Sequence, residues 1–286
     1  MKKRVISCLL LILVAFLPVL SHADVIGHIY KTDIKAYENY LQIPSYNCGG
    51  TTVVFARDLE NYGYDILWDG EAETVEIIKN TSKKITPMLP ELSDDSVPVG
   101  TVLFDIYETN IKTYFDGKLI PSYNIGGKTA ITLRSLESLG SLRFDSKNKA
   151  ALLLSKDIQL KDEEIEHINY VYEIIDVMLS LDEDIAAAKE MALKKSFNKS
   201  VMEKLNLSSL ALTEEMEALP SYSEPKIFSE STTELWWSMV NLDSAVTIIK
   251  SSWNVFDDEH LKKFERYMTD SLEQRKNALS LLAGEF

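Results

Sequence analysis

"LQIPSYNCGGTT" spans residues 41–52 and "KLIPSYNIGGKT" spans residues 118–129, so the chain writes one twelve-residue phrase twice. Around these phrases Tyr30–Gly63 aligns without gaps on Tyr107–Gly140, with half of the positions identical. The matches include Tyr30/Tyr107, Ile34/Ile111, Tyr37/Tyr114, the shared IPSYN and GG, Arg57/Arg134 and Leu59/Leu136. One deletion later, Trp68-Asp69 falls on Phe144-Asp145. Self-similarity of this kind marks a duplicated structural unit.

Each copy reads as short strands around one short helix. Asp116-Gly117 is a two-residue hairpin signal, because both residue types tolerate positive φ, and Asn39-Tyr40 stands in the same place in the first copy. IPSYN reads as the returning strand. Gly49-Gly50 and Gly126-Gly127 supply a second turn, where the missing Cβ permits left-handed backbone. "TTVVFA" and "KTAITL" are β-rich, and Arg57–Tyr62 and Arg134–Leu139 read as a helical turn or two, stopped by Gly63 and Gly140. A final hairpin, "YDILWDGEAETVEII" in the first copy, closes the unit. The expected order is β-β-β-α-β-β.

The text changes character after the second copy. Ile165, Ile168, Tyr172, Ile175 and Leu179 alternate three- and four-residue steps, as an amphipathic helix does. A second seam runs Leu235, Met239, Leu242, Val246, Ile249 and Trp253, with Ser231 and Glu234 spaced as a capping box. A third runs Leu261, Phe264, Met268, Leu272, Leu279 and Leu282, with Asp257 as its N-cap. Shorter helical pieces lie between Asp184 and Leu219, and Pro220–Ser229 reads as a loop. The fold class is therefore α+β: two tandem antiparallel β-β-β-α-β-β modules followed by an all-α bundle of about four helices. The boundaries fall at residues 24–80 for the first repeat, 81–100 for a proline-containing linker, 101–156 for the second repeat and 157–286 for the bundle.

The first 23 residues have the organisation of a secretory signal peptide. Lys2, Lys3 and Arg4 precede an apolar run from Val5 to Leu20, and Ser21-His22-Ala23 offers small residues at the cleavage positions. The run is shorter than the ~20 residues of a membrane span. Cys8 lies near the start of this run, ahead of most of the apolar residues rather than after them, which does not suit a lipid attachment site. Removal of this segment leaves Cys48 without an intrachain partner, so the expected product is an exported, disulfide-free protein of a bacterial envelope, of the Gram-positive type. The formal charge is −14, and the acid is uneven: residues 24–156 carry 18 acidic against 14 basic groups, residues 157–286 carry 26 against 13. Such a surface repels a phosphate backbone, so nucleic acid is not an expected partner.

The first copy, with Thr32, Asp33, Ile34, Ala36, Tyr37, Pro44, Ser45, Tyr46, Asn47, Gly49, Gly50, Asp58, Leu59, Tyr62, Gly63, Tyr64, Trp68 and Asp69, resembles the copper amine oxidase N-terminal-like domain, also called a stalk domain. The second copy departs from that pattern at Asn110, Ser135, Leu139 and Phe144. The resemblance covers about half of the chain after residue 23 and implies a secreted, non-catalytic appendage. The chemistry of the oxidase itself needs three histidine ligands for copper and a tyrosine in an Asn-Tyr-acid motif. Beyond residue 23 only His28, His167 and His260 are present, in unrelated settings, and Asn61-Tyr62 is followed by Gly63. No cofactor is expected.

Several residues remain as candidates. Cys48 lies beside a glycine turn, as a reactive thiol can, but Ile125 holds its place in the second copy, which points to packing. Tyr46 and Tyr123 fill a sheet core or stack on sugar rings. Trp236 and Trp237 point about 100° apart on a helix, so one enters the core while the other is free for an interface or ligand. These four are the candidates for an aromatic binding surface. Asp182-Glu183-Asp184 and Asp257-Asp258-Glu259 lack the glycine and terminal glutamate of a calcium loop and read as helix starts. Glu163, Glu166 and Asp176 serve an enzyme only if they converge in a cleft. The expected function is a non-enzymatic binding or scaffolding protein that meets a cell-wall polymer or an envelope protein, its partner chosen in the helical half. The alternatives are an envelope enzyme subunit, or a sensor or inhibitor, with its site in that same half.

Overall fold

The computed structural model describes residues 24–90, 97–156, 158–221 and 228–284. The signal-type segment, part of the linker and part of the Pro220–Ser229 loop lie outside the described residues. The first repeat forms β1 (Val25–Tyr30), β2 (Lys35–Glu38), β3 (Leu41–Ile43), β4 (Tyr46–Cys48), β5 (Thr51–Phe55), a 3-10 helix (Ala56–Tyr62), β6 (Tyr64–Asp69) and β7 (Thr74–Lys79). The second repeats the order as β8 (Val102–Tyr107), β9 (Lys112–Phe115), β10 (Lys118–Ile120), β11 (Ser122–Ile125), β12 (Lys128–Thr132), a 3-10 helix (Leu133–Leu139), β13 (Gly140–Asp145) and β14 (Ala150–Ser155). Four helices follow: α1 (Asp162–Leu193), α2 (Lys199–Ala218), α3 (Ser229–Ser252) and α4 (Asp258–Gly284). Among the described residues no helix is long and apolar enough to cross a membrane.

Each repeat thus has seven strands rather than five, and its helix is of the tighter 3-10 kind. A strand precedes the expected first one. The stretch IPSYN, read as one returning strand, is divided between two. Pro44 has no N–H to give a ladder and interrupts it; β3 ends before it in one sheet and β4 begins after it in another. Ser45 holds the corner by donating to the Ile34 carbonyl and accepting from the Ala36 amide, both at 3.1 Å.

The remainder of the motif is explained by one turn. Asn47 Oδ1 accepts the Gly50 amide at 3.0 Å, and Asn124 Oδ1 accepts the Gly127 amide at the same distance. The two glycines of each turn have φ of 56° and 84°, or 56° and 83°. L-side chains are strained there, which is why both copies keep the pair. The hairpins also share a conformation: Asn39 and Tyr40 have φ of 51° and 67°, Asp116 and Gly117 of 47° and 74°. Asn39 is fixed by its side chain, which donates to Ser155 Oγ at 3.1 Å and accepts from the Ser155 amide at 2.8 Å.

The two repeats are laced through each other. A closed six-stranded barrel, in the order β1-β4-β5-β12-β11-β8, takes three strands from each copy. Two four-stranded sheets flank it, β10-β9-β7-β6 and β13-β14-β2-β3, so the β2–β3 hairpin of the first copy extends the terminal hairpin of the second, and conversely. Both junctions are parallel, pairing Ala150 with Lys35 and Thr74 with Lys112. The register shows a pseudo-twofold axis. In β5–β12, Phe55 pairs with Ala130, Val54 with Ile131 and Val53 with Thr132, a pattern that maps onto itself when the copies are exchanged. In β1–β8, His28 pairs with Asp105 in the same self-matching way. Ile29, Val53, Phe55, Ile106, Ile125 and Ala130 fill the barrel, with Tyr46, Cys48 and Tyr123 packed around them.

The bundle is built on the expected seams: Leu235, Met239, Leu242, Val246 and Ile249 are all buried, as are Ile168, Tyr172 and Ile175. Leu272 remains 39% exposed. α3 begins three residues earlier than the capping-box spacing suggests, with Phe228 rather than Ser231 at its N-cap position. Ser231 lies inside its first turn, buried, and donates to the Ala278 carbonyl at 2.9 Å. With the Ser238–Ser271 hydroxyl contact at 2.9 Å, it lets α3 and α4 approach through small polar groups. Asp182-Glu183-Asp184 starts no helix; it lies within the 32 residues of α1. Asp257 does cap α4, accepting from the Glu259 and His260 amides at 3.0 Å.

Bundle and strands meet through a few side chains. The Tyr172 hydroxyl of α1 accepts the Gln42 amide of β3 at 2.8 Å, Tyr37 meets the Tyr172 ring edge-on at 6.3 Å, and Lys35 pairs with Asp176 at 3.1 Å. Ala283 of α4 joins the core of the strand domain, while Tyr40 and Leu89 pack against that of the bundle.

Candidate functional site: twin clefts between the repeats

Lacing the repeats leaves one cleft on each side of the axis, and each takes residues from both copies. The first has a volume of about 480 Å³ and is lined by Phe55, Arg57, Ile66, Trp68, Gly127, Lys128 and Thr129, with Asp58 also at its wall. The second, about 280 Å³, is lined by Gly50, Thr51, Thr52, Arg134, Leu142, Arg143 and Phe144, among others. These are the same place by the repeat alignment: Arg57 becomes Arg134, Ile66 becomes Leu142, Trp68 becomes Phe144, and Gly127-Lys128-Thr129 becomes Gly50-Thr51-Thr52.

Strand alternation puts the indole there. Tyr64, Ile66 and Trp68 share one face of β6, running from the buried core outward. Tyr64 is fully buried, and Trp68 emerges 55% exposed at the cleft; Phe144 is 61% exposed in the other. Lys128 projects from the glycine turn with its ammonium 5.2 Å from the centre of the Phe55 ring. Among the described residues, Arg57, Lys128 and Arg143 take part in no ion pair, and Arg134 reaches only Glu137, at 4.0 Å. Each cleft therefore offers an exposed aromatic ring beside two cationic side chains, within a molecule whose acids outnumber its bases 44 to 30.

The four aromatic residues singled out in the sequence do not form one surface. Tyr46 and Tyr123 belong to the barrel, half-buried. Tyr46 packs edge-on against Phe55 at 5.3 Å and Phe104 at 5.5 Å, so it stands behind the cleft wall that Phe55 forms. Tyr123 adjoins Cys48, and burial, followed by that neighbour, raises its phenol above the usual range. Trp236 and Trp237 lie on α3, the first packed against the bundle core and the second 51% exposed. Sequence reasoning passed over Trp68, Arg57, Lys128 and Arg143. The signal for two of them was present, since Trp68 aligned on Phe144 and Arg57 on Arg134.

Other candidates are dispersed. Glu163 pairs with Lys161 at 3.6 Å, Glu166 is exposed, and Asp176 faces Lys35, so the three carboxylates do not converge. His28 contacts Asp105 at 2.9 Å on the barrel, His167 stacks on Phe228 inside the bundle, and His260 contacts Asp257 at the start of α4. Among the described residues no group of three His, Cys, Asp or Glu side chains is placed to hold a metal ion. Tyr62 is buried, donating to the Gln42 carbonyl and accepting from the Met88 amide at 3.3 Å; burial holds its phenol far above the usual range.

One buried charge pair bears on stability. Glu38 is 2% exposed and accepts from Lys79 at 2.6 Å, while Lys79 also donates to the Tyr62 carbonyl at 2.9 Å and lies 4.2 Å above the Tyr64 ring. Burial raises the Glu38 carboxyl, and Lys79 opposes that rise.

No protein-family model, no curated protein and no solved structure matches the chain.

Proposed function

We propose that this is an exported binding or scaffolding protein of a bacterial cell envelope, without catalysis of its own, in which the laced strand domain carries the recognition sites and the acidic bundle is held beside it. The observation that carries the reading is the pair of clefts. Each presents an exposed aromatic ring and two cationic side chains on strands and 3-10 helices, groups that can orient a ring-bearing anionic ligand. The signal-type segment and the stalk-domain resemblance support export and an appendage role. Placing recognition in the strand half moves it away from the helical half, where sequence alone located it.

The test is retention of the protein, residues 24–286, on purified Gram-positive cell walls and on immobilised envelope proteins. Specific retention on either is expected. Passage through both matrices without retention overturns the envelope reading.

A further inference from the structure

We propose that the clefts bind acidic sugar units of a glycan, the aromatic ring stacking on the apolar face of the sugar and the cations holding its carboxylate or phosphate. This deepens the envelope-binding reading and rests on it. The first support is the exposed indole of Trp68, which offers a broad apolar platform with a polar edge. The second is charge. In a chain of net charge −14, Arg57, Lys128 and Arg143 line the clefts outside any ion pair among the described residues. Guanidinium forks suit planar oxyanions, and an ammonium adds a point charge.

The third support is internal to the duplication. The copies differ at half of their aligned positions, yet both clefts keep the same combination. Lys128 is replaced by Thr51 across the axis, and the lost cation is supplied by Arg143 where the first copy has Leu67. Trp68 is replaced by Phe144, which remains aromatic and exposed. Packing needs neither the compensating charge nor an exposed ring. A pseudo-twofold pair of sites also suits a repeating polymer, since a second contact on one chain acts at high effective concentration. Nucleic acid offers anions and rings too, but the acidic molecule as a whole repels a dense phosphate backbone.

The experiment is calorimetric titration of residues 24–286 with four probes: hexagalacturonate, an oligomer of phosphodiester-linked hexoses, cellohexaose and a short oligothymidylate. At least one acidic sugar probe is expected to bind, and the one that binds identifies the anion. Its affinity should fall about tenfold or more in Trp68→Ala and in the Arg57→Ala/Lys128→Ala double variant, with unchanged circular dichroism. It should also weaken as salt rises from about 20 to about 200 mM, as screening requires. Equal binding of cellohexaose removes the charge requirement and overturns the proposal, as does preferential binding of oligothymidylate. Absence of binding by both acidic probes overturns it too. If wall retention persists in that last case, the envelope reading survives and only the cleft assignment falls.

Discussion

Replacing Lys79 by methionine removes a charge while keeping the length of the side chain, and it should expose how Glu38 is accommodated. Glu38 is 2% exposed and its carboxylate meets Lys79 at 2.6 Å. Without that partner the buried carboxylate has two options. Staying ionised costs about 3–5 kcal/mol, the usual penalty for breaking a buried pair. Taking up a proton from an ordinary value of 4.5 costs about 1.4 kcal/mol per pH unit, hence about 3.4 kcal/mol at pH 7 and about 0.7 kcal/mol at pH 5.

The sign follows from the direction of the shift. Burial raises Glu38 in the folded state, so its contribution is most favourable below the unfolded value and is lost as pH rises through the folded one. Lys79→Met should therefore lose about 3 kcal/mol or more at pH 7, and about 2 kcal/mol less than that at pH 5. Glu38→Gln combined with Lys79→Met should recover most of the pH 7 loss. Urea unfolding followed by far-ultraviolet circular dichroism at the two pH values measures this. A loss under about 1 kcal/mol at pH 7, or equal losses at both pH values, would mean that the buried Glu38 carboxylate does not depend on Lys79.

Three further outcomes follow from packing. Tyr172→Phe leaves the Gln42 amide without its acceptor between bundle and strands and should cost about 1–3 kcal/mol in urea unfolding. Cys48→Ile places the residue of the second copy in the first and should change stability by less than about 1 kcal/mol, with fluorescence and melting temperature as readouts. Trp236→Ala should destabilise the fold by about 3 kcal/mol, whereas Trp237→Ala, at a site 51% exposed, should stay within about 1 kcal/mol.

The local grammar of this chain was legible. The glycine pairs, the Asp116-Gly117 hairpin and the buried seam from Leu235 to Ile249 follow from residue type and period. What was missed is non-local. Pro44 splits a stretch of good strand formers between two sheets, and no periodicity marks which sheet receives each half. The exchange of hairpins was hidden by the duplication itself. Because β2 and β9 share Lys, Tyr and the same turn, the text gives each hairpin two nearly equivalent partners, and only closure of the barrel decides between them. Trp68 was visible as an aligned aromatic, but the cleft it lines is completed by Gly127 and Lys128, which arrive from the other copy.

The most direct test of the laced architecture uses the first repeat alone, residues 24–90, followed by light scattering and circular dichroism. In isolation its β2 edge loses Ala150–Leu153, and its barrel strands lose half their ring. No folded monomer is expected: the fragment is unfolded, or it pairs with a second copy of itself in place of the missing repeat. A monomer that unfolds cooperatively, with native-like strand content, would contradict the interdependence of the two repeats.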